Sequence, residues 1–192
     1  MAIEIGGRAQ NDFTNPLGLL SDCHRRIEYF LSLLGTVTKQ AQGGALSPEQ
    51  REALDVAISY FEQAAPRHTL DEEESLFPRL RACGNAQSHT AFALLDSLHA
   101  EHELADEIHN QAGLLVRQWL EEGSLSGGQT HRLCEMLDEL SAIYRRHIAA
   151  EDNELFPLAA SILDESEIRA IGREMAARRG MDLETLTAKL KG

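Results

Sequence analysis

The chain has 192 residues, a length that suits one domain with a single hydrophobic core. Hydrophobic residues make up 43 % of the sequence and aromatic residues only 5 %, a composition that favours aliphatic helix packing. The formal net charge of −13 argues against nucleic acid as a partner, because nucleic-acid binding selects for basic patches, and it disfavours anionic membrane surfaces.

Membrane insertion and export are not expected either. No apolar run approaches the roughly 18 residues that a membrane span needs, and the N-terminal stretch MAIEIGGRAQND lacks the apolar core of a signal peptide. The cysteines, Cys23, Cys83 and Cys134, are scattered without zinc-knuckle spacing, which indicates free thiols in a reducing compartment. We therefore expect a cytoplasmic protein.

Turn residues predict where the first two helices begin. The first helix is predicted to start at Pro16, with Asn15 as its cap. The stretch 42–50 ends this helix and starts a second one, for which Ser47 and Gln50 have the spacing of a capping box.

Two further breaks, at residues 82–88 and 121–130, bound a third and a fourth helix. A short fifth helix is predicted to start within 163–167 and to end at Gly180. No segment alternates in two-residue steps, so we expect an all-α fold, an antiparallel up-down four-helix bundle with a short C-terminal helix. The predicted division is an N-terminal arm at 1–15, the bundle at 16–163, and a C-terminal helix and tail at 164–192.

Polar residues interrupt the apolar stripe of each long helix. In the first helix His24 fills a gap in the stripe, and in the second and fourth helices the stripe continues through a histidine and then a glutamate four residues later. The third helix has two histidines in its stripe. The polar members of the four stripes are His24, His68, Glu72, His102, His109, His147 and Glu151.

The two halves of the chain repeat these residues. RHTLDEEESLFP at 67–78 and RHIAAEDNELFP at 146–157 both read R-H-x-x-x-E-x-x-x-L-F-P. The residues of the second helix recur 79 positions later in the fourth helix, and His24 of the first helix recurs 78 positions later as His102 of the third. Two such helical hairpins can pack about a pseudo-twofold axis, so that each supplies the same polar groups to one core. The proline that ends each repeat is predicted to bend or end its helix.

Four histidines and two glutamates in an apolar core need a partner. Burying an unpaired carboxylate is very costly, and two facing carboxylates repel each other at low dielectric. Each glutamate bonded by the histidine of its own helix is one alternative, but it does not explain histidines converging from four helices. A metal explains them directly, because imidazole with carboxylate suits iron, zinc or manganese. Each of two metals would take two histidines and one oxygen from each of two bridging carboxylates.

The pattern resembles the hemerythrin-like family of the HHE cation-binding type over roughly residues 16–160, and the ELFP at 154–157 is typical of that family. The resemblance implies a non-haem centre of two iron ions, bridged by an oxo or hydroxo group, inside the bundle. Zinc or manganese are the alternative metals. Glu72 and Glu151 would be the bridging carboxylates, and His24, His68, His102 and His147 the remaining ligands.

The sequence departs from the oxygen-carrying hemerythrins on the third helix. Those proteins have H-x-x-x-H there, whereas this chain has Leu98 four residues before His102. His99 is expected to lie on the flank of the core, and with four histidines both irons would be open. Tyr144, one turn before the fourth-helix histidine, either approaches the metal or its ligand or belongs to the core. We expect His109 to be a core histidine with a satisfied ring.

The resemblance leaves more than one function open. We expect foremost a protein that binds dioxygen or a related small diatomic ligand for sensing, storage or delivery. An oxidoreductase acting on nitric oxide or peroxide is the alternative, and iron handling is another. The missing fifth histidine favours the enzyme somewhat, and the sequence shows no substrate pocket. The first expectation stays a metal- and oxygen-binding protein rather than a dedicated enzyme.

Overall fold

The computed structural model describes residues 11–83 and 88–184, and it confirms the predicted all-α bundle. Within those residues the chain forms helices and no strand, and none of these helices is long and apolar enough to cross a membrane. The first and third long segments each pack against the second and the fourth. The first and third segments therefore lie diagonally opposite each other across one core. Most of the N-terminal arm, part of the break at 82–88 and the end of the tail lie outside the described residues, and the division into arm, bundle and tail stays a prediction.

Eight α-helices and two π-helical turns make up the described chain. The first π-turn joins α3 to α4, and the second joins α6 to α7. The bounds are α1 Pro16–Ala41, α2 Pro48–Gln63, α3 Ala65–Leu70, first π-turn Asp71–Leu76, α4 Phe77–Ala82, α5 Ser88–Glu122, α6 Gly127–Ala150, second π-turn Glu151–Leu155, α7 Phe156–Ile162 and α8 Glu165–Ala177.

The predicted helix starts are confirmed by their caps. The Asn15 side chain accepts a hydrogen bond from the backbone N–H of Gly18, and Ser47 and Gln50 form a reciprocal capping box. The short C-terminal helix also forms, although α8 ends at Ala177. These caps satisfy backbone N–H groups that have no partner inside the helix.

The second long segment is not one continuous helix as its pattern predicts. It is interrupted at Ala64, two residues before Pro66, which has no backbone N–H to offer the carbonyl of Glu62. It then widens into the first π-turn, where the backbone N–H of Phe77 donates to the carbonyl of Glu72 five residues back. Regular α-helix hydrogen bonding therefore ends twice within this segment.

The π-turns have a common cause in the repeated Leu-Phe-Pro. Pro78 and Pro157 each lie at the second position of the helix that follows a π-turn. A proline in a regular α-helix lacks one hydrogen bond and clashes with the carbonyl four residues back. A wider turn just before each proline relieves that clash, so the predicted bend takes the form of a π-turn and the chain stays helical beyond it.

Buried apolar residues form two clusters along the bundle. The large cluster lies among α1, α2, α5 and α6, and the small cluster lies among the π-turn ends, α4, α7, α8 and the beginnings of α1 and α5. Members of the large cluster are Ile27, Phe30, Leu31, Leu34, Val37, Leu54, Ala57, Ile58, Phe61, Ala65, Ala105, Ile108, Ala112, Val116, Trp119, Leu125, Leu133, Met136, Leu137, Leu140 and Ile143. Those of the small cluster are Leu19, Leu20, Leu76, Phe77, Leu80, Leu95, Leu98, Leu155, Phe156, Ala159, Leu163, Ile171 and Met175.

The two arginines that directly follow α8 form a buried ion pair with the first π-turn. The carboxylate of Asp71 is fully buried and accepts hydrogen bonds from Arg178 and from both terminal nitrogens of Arg179, at 2.7 to 3.2 Å. Arg178 also bonds the hydroxyl of Ser75 at 2.8 Å. The C-terminal helix thereby supports the segment that carries Glu72.

Candidate metal centre

The structure brings the six predicted site residues together in the core. They come from α1, α3, α5, α6 and the two π-turns, and they lie where the two apolar clusters meet. The exposed fraction is 7 % for one histidine and lower for the other five residues. The six residues are His24, His68, Glu72, His102, His147 and Glu151.

These side chains form two groups that share both glutamates. The first position is formed by His24 and His68 with Glu72 and Glu151, and the second position is formed by His102 and His147 with the same two glutamates. In each group one nitrogen or oxygen from every residue lies within 4.8 Å of the others. Each group contains two histidines and the two shared carboxylates that the sequence predicts, and their role as metal ligands stays a prediction.

The fit to cations rests on polar atoms that find no partner in the protein. Among the described residues, none hydrogen-bonds to either carboxylate oxygen of Glu72 or of Glu151, or to Nε2 of His24. The last atom lies 3.0 Å from Glu151 Oε2, but not in a geometry suited to a hydrogen bond. Unpaired buried carboxylates are very costly, and a metal ion between them and the imidazoles removes that cost.

Three of the four histidines are held from behind by a carboxylate. Nδ1 of His24 lies 3.0 Å from Asp152, and Nδ1 of His102 lies 2.8 Å from Glu73. In the same way Nδ1 of His147 lies 3.1 Å from Glu101. Such partners turn the other ring nitrogen, Nε2, toward the centre of the site and raise its basicity as a metal ligand.

The sequence analysis missed these outer carboxylates, although the repeat contains a signal for two of them. Glu73 directly follows Glu72, and Asp152 directly follows Glu151, so an acidic pair occurs at the same place in both halves. Surface acids are common on helices, and nothing local marks these as partners of a distant histidine.

The electrostatic environments of the histidines differ. Burial lowers the pKa of His68 to about 4. Burial acts in the same direction on His102, but the nearby carboxylates of Glu72 and Glu73 outweigh it and raise the pKa of His102 to about 10. Because a histidine ligand must offer a nitrogen without a proton, a cation at His102 competes with a proton for this ring.

The repeated phenylalanines pack directly on the site. The ring of Phe156 stacks on His24 with ring centroids 5.5 Å apart, and Phe77 stacks on His102 with centroids 6.1 Å apart. Together with the buried Leu76 and Leu155 they close this end of the bundle. The glutamate oxygens are thereby kept away from water.

The remaining candidates lie outside the two groups. His99 is half-exposed, and its Nδ1 lies 2.7 Å from Glu73, so its ring supports an outer carboxylate instead. His109 has a satisfied ring, as predicted, because a hydrogen bond of 3.0 Å joins its Nε2 to the hydroxyl of Tyr144 and the ring stacks on Phe61.

A cavity adjoins the six residues on the side of the large cluster. Ile27, Ala105 and Tyr144 line it together with the four histidines. A surface depression beside α3 and α5 shares Tyr144, Ala65 and two further wall residues with this cavity, so the two spaces adjoin. The site therefore has both a small inner space and a neighbouring opening to solvent.

Comparison with known proteins agrees with this geometry. Residues 15–159 match the hemerythrin HHE cation-binding domain, a span that includes both repeats and all six site residues. The chain belongs to the hemerythrin HHE cation-binding family. A protein from Haemophilus influenzae, described as an uncharacterized protein, is 25 % identical over 167 residues, which cover 87 % of this chain and 91 % of that protein. In this HHE domain the two histidine–glutamate groups are the candidate cation sites.

Proposed function

We propose that this HHE domain binds two iron ions, one at each position, and that the pair binds dioxygen or a related small diatomic ligand for sensing, storage or delivery. The protein ligands are His24, His68, Glu72, His102, His147 and Glu151, with the two glutamates shared. An iron pair, when bound, supplies the open coordination positions and the electrons with which such ligands react.

The observation that carries the proposal is the pair of groups sharing Glu72 and Glu151, whose four oxygens lack hydrogen-bond partners in the described chain. Four protein atoms at each position leave a six-coordinate iron room for a bridging group and an exogenous ligand. Zinc in a structural site is typically four-coordinate and closed, so it would use neither that room nor the adjoining cavity.

The protein's own residues favour a small ligand. Besides the four histidines, the walls of the adjoining cavity are Ile27, Ala65, Thr69, Ala105, Asp106 and Tyr144. The hydroxyl of Tyr144 is joined to His109 by a hydrogen bond. Phe77 and Phe156 cover the opposite side of the histidines. A ligand must therefore approach from the side of the large cluster, where space is limited.

One observation favours a second function, the reduction of nitric oxide or peroxide. His99 is bonded to Glu73 and belongs to neither group, so each position has two histidines and neither ion gains a third. Two ions with open positions suit turnover better than a centre in which one ion is saturated by protein ligands.

One experiment separates these functions. Iron-loaded protein is placed under nitrogen and then under oxygen while its visible spectrum is recorded. An oxygen-dependent absorption band that disappears again under nitrogen supports binding. Irreversible oxidation, followed by consumption of added peroxide or nitric oxide, supports the oxidoreductase. Metal analysis that finds one tightly held zinc ion per chain would contradict both.

A further inference from the structure

The outer hydrogen bonds of the site follow the repeat, with one exception. The bond from His24 to Asp152 and the bond from His102 to Glu73 are copies of each other, because adding 78 or 79 relates the partners. The groups that support the two carboxylates also correspond. Ser21 bonds Asp152 in one half, and His99, 78 residues after Ser21, bonds Glu73 in the other. Each of the two positions therefore has one histidine with an outer carboxylate of this kind.

The bond from Glu101 to His147 has no copy. The repeat carries Glu101 back onto Cys23 and His147 back onto His68. Nδ1 of His68 is buried, and no residue in the described part of the chain hydrogen-bonds to it. His68 is thus the one site histidine that lacks an outer carboxylate.

Cys23 has the same place on α1 as Glu101 has on α5, 78 residues later. Its backbone carbonyl accepts a hydrogen bond of 3.5 Å from the hydroxyl of Tyr60 on α2, so α1 lies against α2 near this residue. The thiol is buried and accepts a hydrogen bond from Arg26 at 3.3 Å. The replacement of a glutamate by a cysteine at this register leaves His68 without its counterpart of Glu101.

Glu101 is firmly placed for its task. One carboxylate oxygen lies 3.1 Å from Nδ1 of His147, and the other lies 2.5 Å from Nε of Arg146. Outer partners of this kind fix the ring and increase its basicity, and their removal from a metal site typically costs about 10- to 100-fold in metal affinity.

We propose that the two positions hold their metal ions unequally, with the ion at the second position bound tightly and the ion at the first position bound weakly and exchanged, because Cys23 stands where Glu101 stands in the other half. The proposal rests on the proposed function, since it requires a pair of ions. It makes Glu101 a positioning residue for His147 and assigns the exchange of metal to His24 and His68.

The test is a titration of the metal-free full-length protein with Co²⁺ under nitrogen, followed by the visible absorption of the bound ion. We expect two ions to bind in two steps separated by about ten-fold or more in dissociation constant. Repulsion between two cations would separate the steps even in a symmetric site, so two variants decide the question.

Glu101→Gln keeps the size of the side chain and removes its charge. We expect it to weaken the tighter step by about ten-fold and to bring the two steps together. Glu107→Gln, which changes an exposed acid on the same helix, is the matched control and leaves both steps as they are. An unchanged separation in Glu101→Gln overturns the proposal.

Cys23→Glu restores the symmetric arrangement, so we expect it to tighten the weaker metal-binding step. Cys23→Ser removes the thiol without adding a carboxylate, and we expect it to leave the weaker step unchanged. Thermal unfolding followed by circular dichroism shows whether each variant is folded, and Glu101→Gln decides the question if the buried glutamate at position 23 prevents folding. Two equal steps in the unaltered protein overturn the proposal and leave the metal pair standing. Fewer than two ions bound overturn the metal pair itself.

Discussion

The two apolar clusters on either side of the metal centre differ in what holds them together. The large cluster follows the apolar stripes of the four long helices, and its far members, such as Trp119 and Leu133, lie many turns from the site. The small cluster instead contains Phe77 and Phe156, which stack on two of the site histidines. One end of the bundle is therefore built against the candidate metal ligands, whereas the far end is held by the packing of the long helices on one another.

Removal of one site histidine is expected to have the largest effect on the metal. His68→Ala or His147→Ala deletes a nitrogen from one of the two groups, so the iron content of the purified protein should fall by half or more. His131→Ala is the control, because His131 is an exposed histidine with a glutamate four residues later but outside the site. Equal iron in all three variants would contradict the assignment of the ligands.

Removal of the metal should destabilise the protein, mainly at the small cluster. Without a cation the charges of Glu72 and Glu151 are buried without compensation. A ligand present at a thousand times its dissociation constant adds about 4 kcal/mol to the free energy of unfolding. We expect the metal-free protein to have a lower melting temperature than the metal-loaded protein. Its amide hydrogen exchange should accelerate more in α4 and α7 than in the middle of α5. Identical melting of metal-free and metal-loaded protein would contradict this.

One substitution in each cluster sharpens the contrast. Leu133→Ala in the large cluster should cost about 2–5 kcal/mol of unfolding free energy and Phe156→Ala in the small cluster about 3–5 kcal/mol, from lost burial and a residual cavity. Only Phe156→Ala should also weaken metal binding, because Phe156 packs on His24. Titration with Co²⁺ measures the affinity, and denaturant unfolding of the metal-free variants measures the stability. An equal loss of affinity in both variants would remove the distinction between the clusters.

The ion pair that docks α8 should matter less. Arg179→Gln removes one of two arginines from the fully buried Asp71, so we expect a loss of about 1–3 kcal/mol, the penalty for a buried group that loses a hydrogen bond. Arg169→Gln breaks an exposed pair with Glu165 and should change stability by about 1 kcal/mol or less. Denaturant unfolding compares the two variants, and similar values would show that α8 is not held by this contact.

His99→Ala should have the smallest effect. Glu73 retains its hydrogen bond to His102 when His99 is removed, so iron content should stay unchanged and affinity should fall only slightly. His102→Ala, three residues away, should lose metal. Metal analysis of both variants is sufficient, and a marked loss of iron in His99→Ala would mean that this residue contributes to binding directly.

The sequence was enough to predict the bundle and the convergence of six residues, because both leave a periodic signal. The stripes recur at helical spacing, and the second half repeats the polar interruptions of the first, so His68 and Glu72 could be matched with His147 and Glu151. The capping box of Ser47 was predictable for a similar reason, since it depends on residues three apart.

What the sequence did not show depends on contacts between distant segments. The bond from Glu101 to His147 and the docking of Arg178 and Arg179 on Asp71 join acids and bases that look like ordinary surface charges. At the π-turns the sequence predicts only that the helix bends or ends, because a proline shows where regular hydrogen bonding fails but not how the backbone compensates.

The position of Trp119 gives the protein a built-in optical probe. It is the only tryptophan, it is fully buried in the large cluster, and its indole N–H donates to the carbonyl of Gly44 at 2.9 Å. It lies 17 positions after His102 on α5. At the rise of an α-helix this offset corresponds to about 25 Å. Its fluorescence should therefore report unfolding of the whole bundle and remain largely constant while metal enters or leaves at the other end.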